Sequence, residues 1–243
     1  VERISIEEAF ADVAGTEHLF GPPAAIARRI RERVRAELGL PISVGVARTK
    51  HLAKIASQVA KPDGLVVVDP SAEIDFLHDL PVELMWGVGP ATKLRLAEIG
   101  VTTIGQLAKT PGWSLERVLG SAASEKLSAL AWNRDPRAIA TDRHARSAGA
   151  QSAGRKAARA DACRPTLRHL ADRVASRLRH KSLAGRTVTA RVRFADLRSV
   201  TRATTLDVPV AATAILAEVA EDLVRGLLRD HPGEGTITLL AIS

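Results

Sequence analysis

The sequence predicts a multidomain α+β chain: a partial α/β region first, an all-helical middle, and a last unit with the element order βαββαβ. Three observations carry that prediction. Apolar periodicity changes near residue 68 from mixed strand and helix to helix alone. Pro and Gly then punctuate the middle into short helices. Over the last hundred residues, two helical stripes bracket a pair of alternating strands. With 243 residues, 46% hydrophobic content and a mean hydropathy of +0.02, the chain can bury more than one core.

Residues 1–68 alternate between strand and helix. Pro22-Pro23 opens a helix in which Ile26, Ile30, Val34 and Leu38 recur every four residues, while Arg28, Arg29, Arg31, Arg33 and Arg35 lie off that stripe as a solvated face. Gly39 closes it. Ile42, Val44 and Val46 alternate as a half-buried strand, a second helix carries Leu52, Ile55, Ala56 and Val59, and Lys61-Pro62-Asp63-Gly64 turns into a strand from Leu65 to Val68.

Residues 69–135 read as short helices around Trp86-Gly87-Val88-Gly89-Pro90, followed by an amphipathic stretch that ends at Gly100. Gly87 and Gly89 let a tight loop approach a partner closely, and Pro90 suits the first turn of a helix. The pattern resembles a helix-hairpin-helix, in which loop amides and a helix N-terminus face a DNA phosphate. A structural αα-turn is the plain alternative. A charged linker follows at 136–146.

From 147 to 243, one helix carries Leu167, Leu170, Val174 and Leu178 and another carries Ile215, Val219, Leu223 and Leu227. Between them, Val188, Ala190, Val192 and Phe194 face one side of a strand, and Thr187, Thr189, Arg191 and Arg193 the other. The helices are expected to cover the apolar side and to leave a basic, hydroxyl-rich face open. Arg202 and Thr204 on the next strand are expected to extend it. Such a face suits DNA phosphates without base reading.

Charge supports that destination. The net charge is +8, yet residues 131–205 hold 18 Lys and Arg against 5 Asp and Glu, and the remainder holds 17 against 22. A basic surface concentrated in one segment points to a polyanion, most often nucleic acid. The longest apolar runs are too short to cross a bilayer, and the N-terminal residues lack the pattern of a signal peptide. A lone cysteine, Cys163, forms no internal disulfide. Together these features place the chain in the cytosol, away from membranes.

Near the N-terminus, Ser5-Ile6-Glu7-Glu8-Ala9-Phe10 sets adjacent carboxylates between apolar residues. Taken alone, the pair reads as solvated surface. Nucleotidyl transfer with two metal ions needs several converging carboxylates, and in a straight strand neighbours point apart, so Glu7 and Glu8 share a site only if the backbone turns.

This stretch, together with Ser43-Val44-Gly45-Val46-Ala47-Arg48-Thr49-Lys50-His51-Leu52-Ala53-Lys54, Lys61-Pro62-Asp63-Gly64 and Trp86-Gly87-Val88-Gly89-Pro90, resembles Y-family DNA polymerases. The resemblance spans the whole chain and is nearest to the bacterial DNA polymerase IV branch, with an actinobacterial cast. It implies the C-terminal part of a palm at 1–68, a helix-hairpin-helix thumb at 69–135 and a ferredoxin-like little finger at 147–243. It further implies error-prone, template-directed addition of dNTPs to a primer 3′ end during DNA damage bypass, with two Mg²⁺ ions. Glu8, with Glu7, is the implied catalytic metal-binding group. Lys61 and Lys54 are the implied contacts to the incoming dNTP, and Gly87 and Gly89 the implied amide contacts to primer-template DNA.

The family pattern has Asp where this chain has Glu7, one methylene shorter. Its first metal-binding Asp, its fingers and its ribonucleotide-excluding aromatic lie upstream of Val1. The first residue is Val rather than Met, and no recognisable sliding-clamp tail follows Ser243, so the chain reads as a fragment cut at both ends. It is expected to polymerise little or nothing alone. The alternative is a non-catalytic, DNA-binding accessory relative of these polymerases.

Overall fold

In the computed structural model, which describes residues 1–141 and 146–243, the chain divides into two units, Val1–Arg143 and His144–Ser243. The first begins with a small hairpin. Strand β1 (Glu2–Arg3) pairs antiparallel with β2 (Ala9–Phe10), and the amides of Ile4 and Ser5 both donate to the Glu8 carbonyl, at 2.9 and 3.1 Å. After a short helix α1 (Glu17–Phe20) comes α2 (Pro23–Leu38), which starts at proline and ends at Gly39 in the left-handed region, φ 69°. Strands β3 (Val44–Val46) and β4 (Leu65–Val67) pair in parallel, connected through α3 (Lys50–Val59). Thr49 caps α3 by accepting the Leu52 amide at 3.2 Å. Gly45 is required where β3 passes α3, since a Cβ there would run into the Ala53 carbonyl and the Ser57 amide.

Leu52, Ile55 and Ala56 of α3 are fully buried in one core with α4 (Glu73–His78), a 3₁₀ turn at Val82–Leu84, α5 (Pro90–Glu98), α6 (Ile104–Lys109), α7 (Gly112–Leu119) and α8 (Ser121–Ala131). Leu77, Met85, Leu96, Leu107, Leu115 and Leu127 supply its interior. A capping box of Thr103 and Gln106 starts α6.

Helix α2 bears out the solvated arginine face at Arg28, Arg29, Arg33 and Arg35, which are exposed, but not at Arg31, which is half-buried. Its apolar stripe is only partly covered: Ile30 is 42% and Leu38 66% exposed, and Ala27 alone is fully buried. Three-residue strands span only about 10 Å against about 24 Å of helix, too little sheet to cover it. Arg31 donates to the carbonyl and carboxylate of Asp63, and Arg35 pairs with the same carboxylate.

The second unit contains β5 (Ala150–Ala157), α9 (Ala160–His180), β6 (Gly185–Phe194), β7 (Ser199–Val210), α10 (Thr213–Arg229) and β8 (Thr236–Ile242). The βαββαβ order stands as expected. Its sheet runs β5-β8-β6-β7 with every neighbouring pair antiparallel, so each helical crossover spans one intervening strand. Both helices pack on one face through Leu167, Leu170, Val174, Ala220, Val224 and Leu227, against Val188, Ala190, Val192 and Phe194.

Arg202 and Thr204 lie on that covered side, which corrects the expected extension of the open face. Register sets them opposite Ala190 and Val188, whose side chains point into the core. Arg202 reaches over Gly226 of α10 and pairs with Asp230.

Candidate carboxylate turn and DNA-contact surfaces

The backbone between β1 and β2 does turn, and one serine organises it. Ser5 Oγ accepts the amides of Glu7 and Glu8, each at 3.1 Å, and donates to the Glu7 carboxylate at 2.8 Å. Glu8 points elsewhere: both its oxygens accept from Lys54 Nζ of α3, at 2.7 and 2.8 Å. The two carboxylates therefore share a turn but not a partner. Lys54 and Glu8 are brought together across 46 positions of sequence, which no local motif announces.

Beneath this exposed pair lies a buried one. Lys50, one helical turn before Lys54, is paired with Glu2 of β1, and their side chains are 8% and 0% exposed. Glu2 also accepts the Ala140 amide at 2.8 Å, and Lys50 donates to the Ala138 carbonyl at 3.2 Å. The chain after α8 is thus strapped along the start of α3. Asp135 accepts the His51 amide at 3.0 Å and grips Arg137 at 2.6 and 2.8 Å. Burial alone would raise the Asp135 carboxyl, but Arg137 holds it below its ordinary value. Asn133 donates to Glu73 at 3.0 Å, and Arg48 grips both oxygens of Glu73, so that carboxyl is also lowered, chiefly by Arg48. The expected linker at 136–146 begins inside this strap, and its residues 142–145 lie outside the described residues.

His51 is fully buried, and neither ring nitrogen finds a hydrogen-bond partner among the described residues. Loss of hydration pushes its pKa down to about 4, so the ring is neutral.

Lys61 is exposed just beyond α3, on the loop whose Asp63 is held by Arg31 and Arg35. Sequence reasoning missed these two anchors, and the four-residue spacing that puts both on one side of α2 was the available signal. Gly87 and Gly89 are exposed, in a loop between the 3₁₀ turn and α5. Gly87 needs its glycine, with φ 110°, whereas Gly89 is extended and caps α5 without a side-chain bond.

In the second unit the open sheet face presents Thr187, Thr189, Arg191 and Arg193 of β6 beside Ser199, Thr201 and Thr205 of β7. Arg191 donates to Gln151 at 3.1 Å and Arg193 to Thr238 at 3.1 Å, which orients both guanidinium groups along the sheet.

Against known proteins, the impB/mucB/samB family matches residues 1–58, and the impB/mucB/samB family C-terminal domain matches residues 149–243. The chain is 74% identical to DNA polymerase IV 2 of Mesorhizobium japonicum over 244 residues, covering 100% of this chain and 59% of that protein. It is 36% identical to DNA polymerase IV of Halorhodospira halophila, covering 100% of this chain and 67% of that one. Likeness to DNA polymerase IV of Streptomyces coelicolor is 38%, over 92% of this chain and 47% of that protein. The chain thus spans between about half and two thirds of these relatives' length. Among solved structures, a Y-family DNA polymerase chimera, Dbh-Dpo4(243-245)-Dbh, superposes with a TM-score of 0.85 at 25% identity, covering 99% of this chain and 69% of that one. With family models matching at both ends and relatives matching along its whole length, this chain belongs to the Y-family DNA polymerases, in their impB/mucB/samB group.

Proposed function

We propose that the chain is the carboxylate-bearing and DNA-gripping part of an error-prone translesion DNA polymerase, acting in the cytoplasm on primer-template DNA and an incoming dNTP. The observation that carries this reading is the turn at Ser5–Glu8, which holds Glu8 at the surface with a cation already on its two oxygens. Residues 1–68 serve as palm, 69–135 as thumb and 147–243 as little finger.

The carboxylates suit a hard divalent ion in donor type and exposure. They fit as part of its ligand set: no cluster of three or more His, Cys, Asp or Glu stands ready to hold a metal among the described residues. Glu8, and Glu7 once turned from Ser5, would hold Mg²⁺, which when bound supplies charge neutralisation at the reacting phosphate. Lys61 and Lys54 offer ammonium groups to the triphosphate. Gly87 and Gly89 present backbone amides to the DNA, and Arg191 and Arg193 take further phosphates along an open sheet that reads no base edges. Undemanding contacts of this kind admit damaged templates. A sliding clamp is a further partner for the longer protein. No helix among the described residues is long and apolar enough to cross a membrane.

A second reading, a non-catalytic DNA-binding relative, is favoured by the Glu7 carboxylate being turned onto Ser5. Gel retardation with a primer-template duplex, followed by primer extension with dNTPs and Mg²⁺, tests both. The purified chain is expected to bind the duplex and extend it little. The same polypeptide isolated at its native length from its own cells is expected to extend the primer, and to lose that activity with Glu8→Gln. Binding without extension by the native-length protein supports the second reading, and absence of binding refutes both.

A further inference from the structure

Trp86 sits where three features of the first unit meet. It directly precedes the Gly87–Gly89 loop, and its ring stacks on Phe10 of β2, with centroids 5.9 Å apart and planes at 24°. The Arg137 guanidinium lies 4.3 Å from the ring centroid, and the Lys54 ammonium 5.5 Å from it. A cation over an indole is attracted by the ring quadrupole. Lys54 is therefore shared between an aromatic ring and the Glu8 carboxylate.

We propose that Trp86 is a positioning residue that couples DNA contact at the Gly87–Gly89 loop to the availability of Glu8, with Lys54 as the exchangeable counter-ion between them. The inference rests on the reading of Glu8 and of that loop given above. With the loop empty, the ring helps keep Lys54 on Glu8, and a divalent cation must displace the ammonium. A phosphate on the loop amides moves the residue joined to them and draws Lys54 toward new negative charge, which frees both Glu8 oxygens. Linkage makes the effect reciprocal, so the cation tightens DNA binding by the same factor.

The test is calorimetric titration of Mg²⁺ into the chain with and without saturating primer-template duplex. Glu8→Gln, titrated in parallel, gives the effect of Mg²⁺ on the DNA itself. The duplex is expected to tighten Mg²⁺ binding at least about fivefold beyond that background. In Lys54→Met, Mg²⁺ is expected to bind more tightly without DNA, and the duplex to add less than about twofold. Trp86→Leu is expected to bind each ligand yet lose the coupling, and Trp86→Phe to restore part of it, which a merely structural tryptophan would not do. Full coupling in Trp86→Leu or Lys54→Met overturns the inference, and so does the absence of coupling in the unaltered chain when both ligands bind. If Glu8→Gln and the unaltered chain take up Mg²⁺ alike and neither binds DNA, the functional reading falls and takes the inference with it.

Discussion

Lys50 and Glu2 form a buried ion pair that fastens β1 to α3, and the chain after α8 closes over it through Ala138 and Ala140. Such a pair gains little over an apolar substitute, yet removing one partner of a buried pair is costly. Lys50→Met is expected to destabilise the first unit by about 3–5 kcal/mol, and the double variant Glu2→Gln/Lys50→Met to recover most of that loss. Trp86, Trp113 and Trp132 all lie in this unit, so tryptophan fluorescence during urea unfolding reads it alone. A loss under about 1 kcal/mol would show that the pair behaves as a solvated surface bridge.

His51 gives the same unit a dependence on pH. An unfolded imidazole takes up a proton near 6.5, whereas the buried ring does so only near 4. The unfolded state thus binds the proton first. Stability is full above the unfolded pKa, falls as pH drops below it, and levels off once the folded pKa is passed. Between about pH 6.5 and 5 the loss from this group comes to roughly 1.5 kcal/mol. His51→Leu is expected to flatten that part of the urea-stability profile. An equally steep profile in the variant would assign the dependence to other groups.

The two loop glycines are expected to separate fold from function. At Gly87 the φ of 110° strains any side chain, so Gly87→Ala is expected to cost about 1–3 kcal/mol. At Gly89 the backbone is extended, and a Cβ would meet nothing within 4 Å. Gly89→Ala should therefore keep the urea midpoint while placing a methyl group where a phosphate would approach the amides. The expected outcome is unchanged stability with several-fold weaker duplex binding by fluorescence anisotropy, an effect of about 1 kcal/mol. Unchanged binding would remove this loop from the DNA interface.

What could be read from sequence was set locally. Pro22-Pro23, Gly39 and the run from Val44 to Val46 marked α2 and β3 because caps and period-two alternation act within a few residues. The placements that were missed depend on distant partners. Arg31 looked solvated because Asp63, which it holds, lies 32 positions away. Lys54 could be suspected of binding phosphate but not of holding Glu8. Arg202 was placed on the wrong face because alternation gives a strand two faces without saying which one is covered. Register against β6 decides that, and a shift of one residue inverts it.

That inversion yields the sharpest test of the second unit. Arg191 and Arg193 stand on the open face, whereas Arg202 lies on the helix side with Asp230 neutralising it. Each arginine that contacts a phosphate releases condensed counterions, so its removal lowers affinity and reduces the slope of log affinity against log salt by about 0.9. Arg191→Ala and Arg193→Ala are each expected to weaken binding at low salt and to show that reduced slope in anisotropy titrations over a salt series. Arg202→Ala is expected to leave the slope unchanged. It should register instead in thermal unfolding, by up to about 1 kcal/mol, because an exposed ion pair is worth no more. A slope reduced in Arg202→Ala and unchanged in the other two would put the DNA on the helical side of the sheet.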